Sequence, residues 1–168
     1  MAAKGLKEMH DRNILHRDFK SDNILCNKEG DIKIADFGVS VFLSKQEYWR
    51  SSQKGTEHIL APEIVDNQTF GYMKEPDIWA FGIFLHELGS GMLPFHDILN
   101  REKPGSLFDA ILNFEFKKID ARSDLFNDLM EHCLKHSTSE RIIIDGILNH
   151  PYLEDAYECK EQWVKDYR

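Results

Sequence analysis

Basic residues are in deficit: 21 Lys and Arg stand against 29 Asp and Glu in 168 residues, a net charge of −8. That balance excludes the broad positive surface that nucleic acid or an anionic membrane attracts, so neither is an expected partner and any phosphate site must be local. Cysteine is scarce as well. Cys26, Cys133 and Cys159 are odd in number and show no CxxC spacing, which excludes a disulfide framework and a cysteine zinc cluster and fits a reducing, cytoplasmic setting. Long apolar runs are missing, since the most hydrophobic stretch, Ile78 to Leu88, is broken by Gly82 and His86 and falls short of the ~20 residues that cross a bilayer. There is no signal peptide, internal repeat or low-complexity tract. What remains, 42% hydrophobic residues, suffices for one soluble domain with a sizeable core.

Helical spacing of Ala, Lys, Leu, Glu and Met over residues 2 to 10 predicts a helix that ends between His10 and Asn13. Two short apolar or alternating runs, NILC (23 to 26) and DIKIAD (31 to 36), flank Asn27, Lys28, Glu29 and Gly30 and predict a hairpin. Residues 39 to 60 keep no period and read as a long surface loop. Asp77 to Gly89 is apolar on nearly every face, the pattern of a buried central helix, with Asp77 as a candidate N-cap after Pro76. Further helices are expected at about 106 to 113, 123 to 136 with Ser123 as N-cap, 139 to 148 and 155 to 165. The fold class is therefore mainly α with a small β-hairpin.

Residues 16 to 23 read HRDFKSDN, a stretch too polar for core, and it runs directly into the hairpin. In an antiparallel hairpin the start of the first strand lies beside the end of the second, so Asn23 and Asp36 converge at its open end. Two oxygen-bearing side chains with room for water and phosphate oxygens suit Mg²⁺. On the same loop Asp18 can accept a proton from an incoming hydroxyl and Lys20 can neutralise charge on a transferred group. Positioning and electrostatics of this kind are what phosphoryl transfer requires. His16 reads as a packing residue, without a part in the chemistry.

Taken in order, HRDFKSDN, DFG (36 to 38) and APE (61 to 63) resemble the catalytic loop, metal loop and activation-segment end of eukaryotic protein kinases. DIWAFGIFLHEL resembles the buried central helix of that family, and the likeness covers essentially the whole chain. The resemblance implies Asp18 as catalytic base, Lys20 as phosphate contact, Asn23 and Asp36 as Mg²⁺ ligands, Asp77 as anchor of the catalytic-loop backbone, and an ion pair between Glu63 and Arg141. It implies ATP and Mg²⁺ as cofactors and a protein as substrate. Lys20 together with Thr56 resembles the serine/threonine class. Arg17, next to Asp18, resembles kinases switched by an upstream kinase acting on the activation segment; Ser52 is the first candidate acceptor, ahead of Ser51, Thr56 and Tyr48.

The chain departs from the family pattern at its front. Only 15 residues precede His16, and they hold no Gly-rich loop, strand lysine or paired helix glutamate, so the expectation is a kinase-like C-terminal lobe with the N-terminal lobe missing. GSGMLP (89 to 94) is no substitute, because it follows a helix rather than a strand. Smaller departures are STSERI (137 to 142), where the family has prolines around the arginine, and EHIL (57 to 60). Two functions follow: the large lobe of a serine/threonine kinase whose small lobe was lost by truncation, lies in upstream sequence or comes from another chain, or a catalytically inactive kinase-fold docking module.

Overall fold

The computed structural model describes residues 1–43, 55–66, 73–100 and 104–154, with side chains from 107 onward in the last of these stretches. Its helices are α1 (Ala2–Asp11), α2 (Pro62–Val65), α3 (Glu75–Ser90), α4 (His96–Leu99), α5 (Pro104–Leu112), α6 (Asp124–Cys133), α7 (Ile144–Leu148) and α8 (Pro151–Glu154). Short strands β1 (Ile14–Leu15), β2 (Ile24–Cys26), β3 (Ile32–Ile34) and β4 (Val41–Phe42) and two 3-10 turns, Ser21–Asn23 and Glu57–Ile59, complete the described elements. None of the described helices is long and apolar enough to cross a membrane.

The central position of α3 follows from its composition. Ile78, Trp79, Ala80, Phe81, Ile83, Phe84 and Leu85 are all buried, so the helix has no face to offer solvent over about two turns. Around it lie Leu6 of α1, Ile111 of α5, Leu129 and Met130 of α6 and Ile147 of α7, each fully buried in one continuous core. A left-handed Gly91 (φ 77°) ends α3, its N–H bonded to Glu87 O at 2.8 Å. Ser123 caps α6 as expected, its Oγ accepting the Phe126 N–H at 3.2 Å.

The expected hairpin is β2 against β3, with Ile24 opposite Ile34 and Cys26 opposite Ile32. A second two-stranded sheet, β1 against β4, was not expected: it pairs Ile14 with Phe42 and Leu15 with Val41 and takes the first residues of the supposed long loop. Two-residue strands far apart in sequence leave no periodic trace, which is why the pattern missed them. The short helices α2 and α4 also went unrecognised as separate elements. The helix expected over 139 to 148 is only α7. Before it, Glu140 and Arg141 donate their N–H groups to Ser137 O, and the Ser137 and Ser139 hydroxyls bond each other, so local polar contacts hold a turn. The helix expected at 155 to 165, Cys159, Ser51, Ser52 and Tyr48 lie outside the described residues.

Candidate active site

One carboxylate holds the loop that begins at His16 from beneath. Asp77 is the third residue of α3 and not its N-cap; Lys74 has that position. Fully buried, Asp77 accepts the backbone N–H of His16 at 2.8 Å and of Arg17 at 2.9 Å, while His10 Nε2 donates to it at 3.0 Å. Arg17 has φ 71°, a left-handed conformation that a non-glycine residue keeps only where surrounding contacts enforce it. From above the core, Phe19 pins the same loop: it is fully buried, with its ring centroid 5.7 Å from Phe81 and 5.6 Å from Phe84.

Between these two anchors, the Asp18 carboxylate faces donors from two segments. Lys20 Nζ lies 2.9 Å from Oδ2, Asn23 Nδ2 donates to Oδ2 at 3.1 Å, and the Thr56 N–H donates to Oδ1 at 2.9 Å. Lys20 Nζ also donates to Thr56 Oγ1. Burial pushes the Asp18 carboxyl up, but the Lys20 ammonium and the Thr56 donors outweigh it and hold the group below the usual aspartate range. It is therefore an anion at neutral pH. His58, two residues past Thr56, is held down by burial and by Lys20, against the opposite pull of Glu87, Asp18 and Asp22, so it is uncharged there.

At the open end of the hairpin, Ala35 N donates to Asn23 O at 2.8 Å, extending the ladder one step and setting Asp36 immediately beyond. Asn23 is buried, and its amide nitrogen donates to Asp18 O at 2.8 Å as well as to the Asp18 carboxylate. Both partners are acceptors, so the amide oxygen is the atom left for a cation. Asp36 is exposed with φ 61°, and its Oδ1 accepts the Gly38 N–H at 3.1 Å. Two hard oxygen donors, one fixed by burial and one open to solvent, fit Mg²⁺, which keeps several waters of its own.

The structure thus brings Asp18, Lys20, Asn23 and Thr56 into one cluster, with Asp36 at its edge and Asp77 beneath. Arg17 enters it through its backbone. Glu63 of α2 and Arg141 form a separate buried pair, Nη1 to Oε1 at 2.6 Å and Nη2 to Oε2 at 2.8 Å.

His16 packs as expected. It is fully buried, and it also links the loop at 16–23 to the end of the hairpin: Nε2 donates to Ala35 O at 3.0 Å and Nδ1 accepts the Asp18 N–H at 3.2 Å. Its ring also lies 5.5 Å from that of Phe37. His10 was overlooked, although it too is buried and reaches Asp77. A histidine on the apolar side of a helix gives a faint signal, and its partner lies 67 positions away.

Gly55 brings the segment that begins with it against this cluster. It has φ 115°, and a Cβ there would sit 2.4 Å from Arg17 O. Gly55→Ala is expected to push residues 55 and 56 off the loop, with a local cost of about 1–3 kcal/mol. In hydrogen exchange, the Thr56 amide should lose protection while the α3 amides keep theirs; unchanged Thr56 protection would refute the close approach.

Residues 1–153 match the sequence profile of the protein kinase domain. Over 157 residues the chain is 34% identical to serine/threonine-protein kinase STE20 of Candida glabrata, an alignment covering 92% of this chain and 17% of that protein. The chain belongs to the eukaryotic protein kinase family, serine/threonine class. It spans a small part of the length of the relative it matches.

Proposed function

We propose that this chain is the large lobe of a serine/threonine protein kinase, transferring the γ-phosphate of ATP to Ser and Thr hydroxyls of a protein substrate. The observation that carries this reading is the Asp18 carboxylate, kept ionised and aimed by Lys20, Asn23 and Thr56. In the step, the substrate hydroxyl gives its proton to Asp18 as its oxygen bonds the γ-phosphorus and the bond to the ADP oxygen breaks. Lys20, within reach of Asp18 and Thr56, faces the charge that builds on the transferred group. Mg²⁺, held by Asn23 and Asp36, would neutralise the phosphates. Asp77 keeps the loop backbone fixed while charge moves above it.

Residues 1–168 carry no Gly-rich phosphate loop, so we assign that part of the nucleotide site to a small lobe outside them. Ser52 remains the proposed acceptor for an upstream kinase, with Arg17 as the cation that receives the phosphate. A cytoplasmic setting belongs to the same proposal.

The test is transfer from labelled Mg-ATP to a generic protein substrate, by the chain alone and by the chain joined to a protein kinase small lobe. Transfer should require Mg²⁺ and fall by about 10²–10³-fold in Asp36→Asn. Silence of both forms would discard the enzyme reading and leave the docking module.

A further inference from the structure

Asp128 and His132 lie one turn apart on α6, on the same face. His150 comes from the turn between α7 and α8, and the packing of α8 on α6, including a Phe126–Tyr152 ring contact at 5.3 Å, carries it to the same place. His150 Nε2 donates to Asp128 Oδ2 at 2.9 Å, and His132 Nδ1 is 3.6 Å from Asp128 Oδ1. One donor atom from each of the three residues lies within 4.8 Å of the other two. His150 is buried, whereas Asp128 and His132 are about half exposed.

We propose that Asp128, His132 and His150 form a binding site for a divalent transition metal of the Zn²⁺ type. Two imidazoles and one carboxylate make a borderline-soft N₂O set, which prefers Zn²⁺ to Mg²⁺ and leaves a fourth position for water on the exposed side. The site is chemically distinct from the hard-oxygen pair Asn23 and Asp36. Its scaffold is rigid where it must be: α6 is fixed by the buried Phe126, Leu129, Met130 and Cys133, and the third ligand is set by the turn into α8.

Hydrogen bonds around the rings show what a metal would displace. His132 Nδ1 donates to Asp128 O at 2.8 Å, and His150 Nδ1 accepts the Tyr152 N–H at 3.2 Å, which leaves the proton of neutral His150 on Nε2, pointing at Asp128. Ligation through His150 Nε2 moves that proton to Nδ1 and breaks the cap on Tyr152. Metal binding is therefore coupled to the first turn of α8.

The full 168-residue chain is titrated with Zn²⁺ by calorimetry at pH 7.5 in excess Mg²⁺, alongside His132→Ala, whose side chain is exposed and contributes little to the core. One Zn²⁺ should bind, with affinity at least ~10-fold weaker in the variant. In the wild type only, Zn²⁺ should shift the Tyr152 amide resonance and speed its exchange. Equal affinity in the two proteins, no Zn²⁺ binding, or an unmoved Tyr152 amide would each overturn the site.

Discussion

Arg141→Ala is expected to destabilise the domain by about 3–5 kcal/mol, the cost of breaking a buried ion pair and leaving one charge behind. The guanidinium is fully buried in this fold and meets Glu63 through a two-pronged contact. It also donates to Lys135 O and Glu75 O at 2.9 Å and to His136 O at 3.3 Å, and its centre lies 5.3 Å from the Trp79 ring centroid. Removing it takes the two-pronged contact from the Glu63 carboxylate, itself buried, and leaves three carbonyls short of a donor. Lysine cannot restore the arrangement, because a single ammonium lacks the planar fork that serves both carboxylate oxygens at once. Urea unfolding of wild type, Arg141→Ala, Arg141→Lys and Glu63→Gln reads the effect; a loss below about 1 kcal/mol for Arg141→Ala would show that the pair is not needed. The double variant Glu63→Leu with Arg141→Met should recover much of the loss, since matched apolar groups carry no stranded charge.

That pair fastens α2 to the turn before α7. Glu63 belongs to α2, eight residues or fewer from Gly55 and Thr56, and Arg141 belongs to the turn before α7. Thr56 in turn presents its N–H to Asp18. Weakening the pair should therefore loosen Thr56 before the loop at 16–20, which has its own anchors in Asp77 and Phe19.

How much of this was legible in the sequence depended on the range of each interaction. The α1 helix, the β2–β3 hairpin, the apolar α3 and the Ser123 cap all follow from residues close together in the chain, and all are present. The pairing of β1 with β4 is non-local and only two residues long, so no periodicity marks it. The position of Asp77 was misjudged because Pro76 suggested a helix start, whereas the helix begins at Glu75 and tolerates proline in its first turn. In the candidate site, Asp18, Lys20, Asn23 and Asp36 stand out as polar groups in fixed sequence. The links made by His10 and His16 do not, because a buried histidine with partners 19 and 67 positions away looks like any packing residue until the chain is folded.

Asp18→Asn should lower kcat for phosphate transfer by about 10²–10⁴-fold while leaving the KM for Mg-ATP nearly unchanged, in any form of the protein that transfers phosphate. The asparagine has the same shape but cannot take a proton from a hydroxyl. It also turns an amide nitrogen toward Lys20 and Asn23, or toward the Thr56 N–H, because all of these neighbours donate and none accepts. The pH dependence follows from the sign of the Asp18 shift. Its folded pKa lies below the 3.8 of an ordinary aspartate, since the donors outweigh burial. The base is then fully ionised through neutral pH, and the rate should show no acidic limb from this group until the pH falls through that depressed value. The stability it contributes is present above the unfolded pKa and is lost over the same acidic window. Rate measurements from pH 5 to 8, together with acid unfolding of the two proteins, separate these effects: Asp18→Asn should be slow at every pH and should lose less stability on acidification than wild type. A variant with kcat near that of wild type would remove Asp18 from the proton-transfer role.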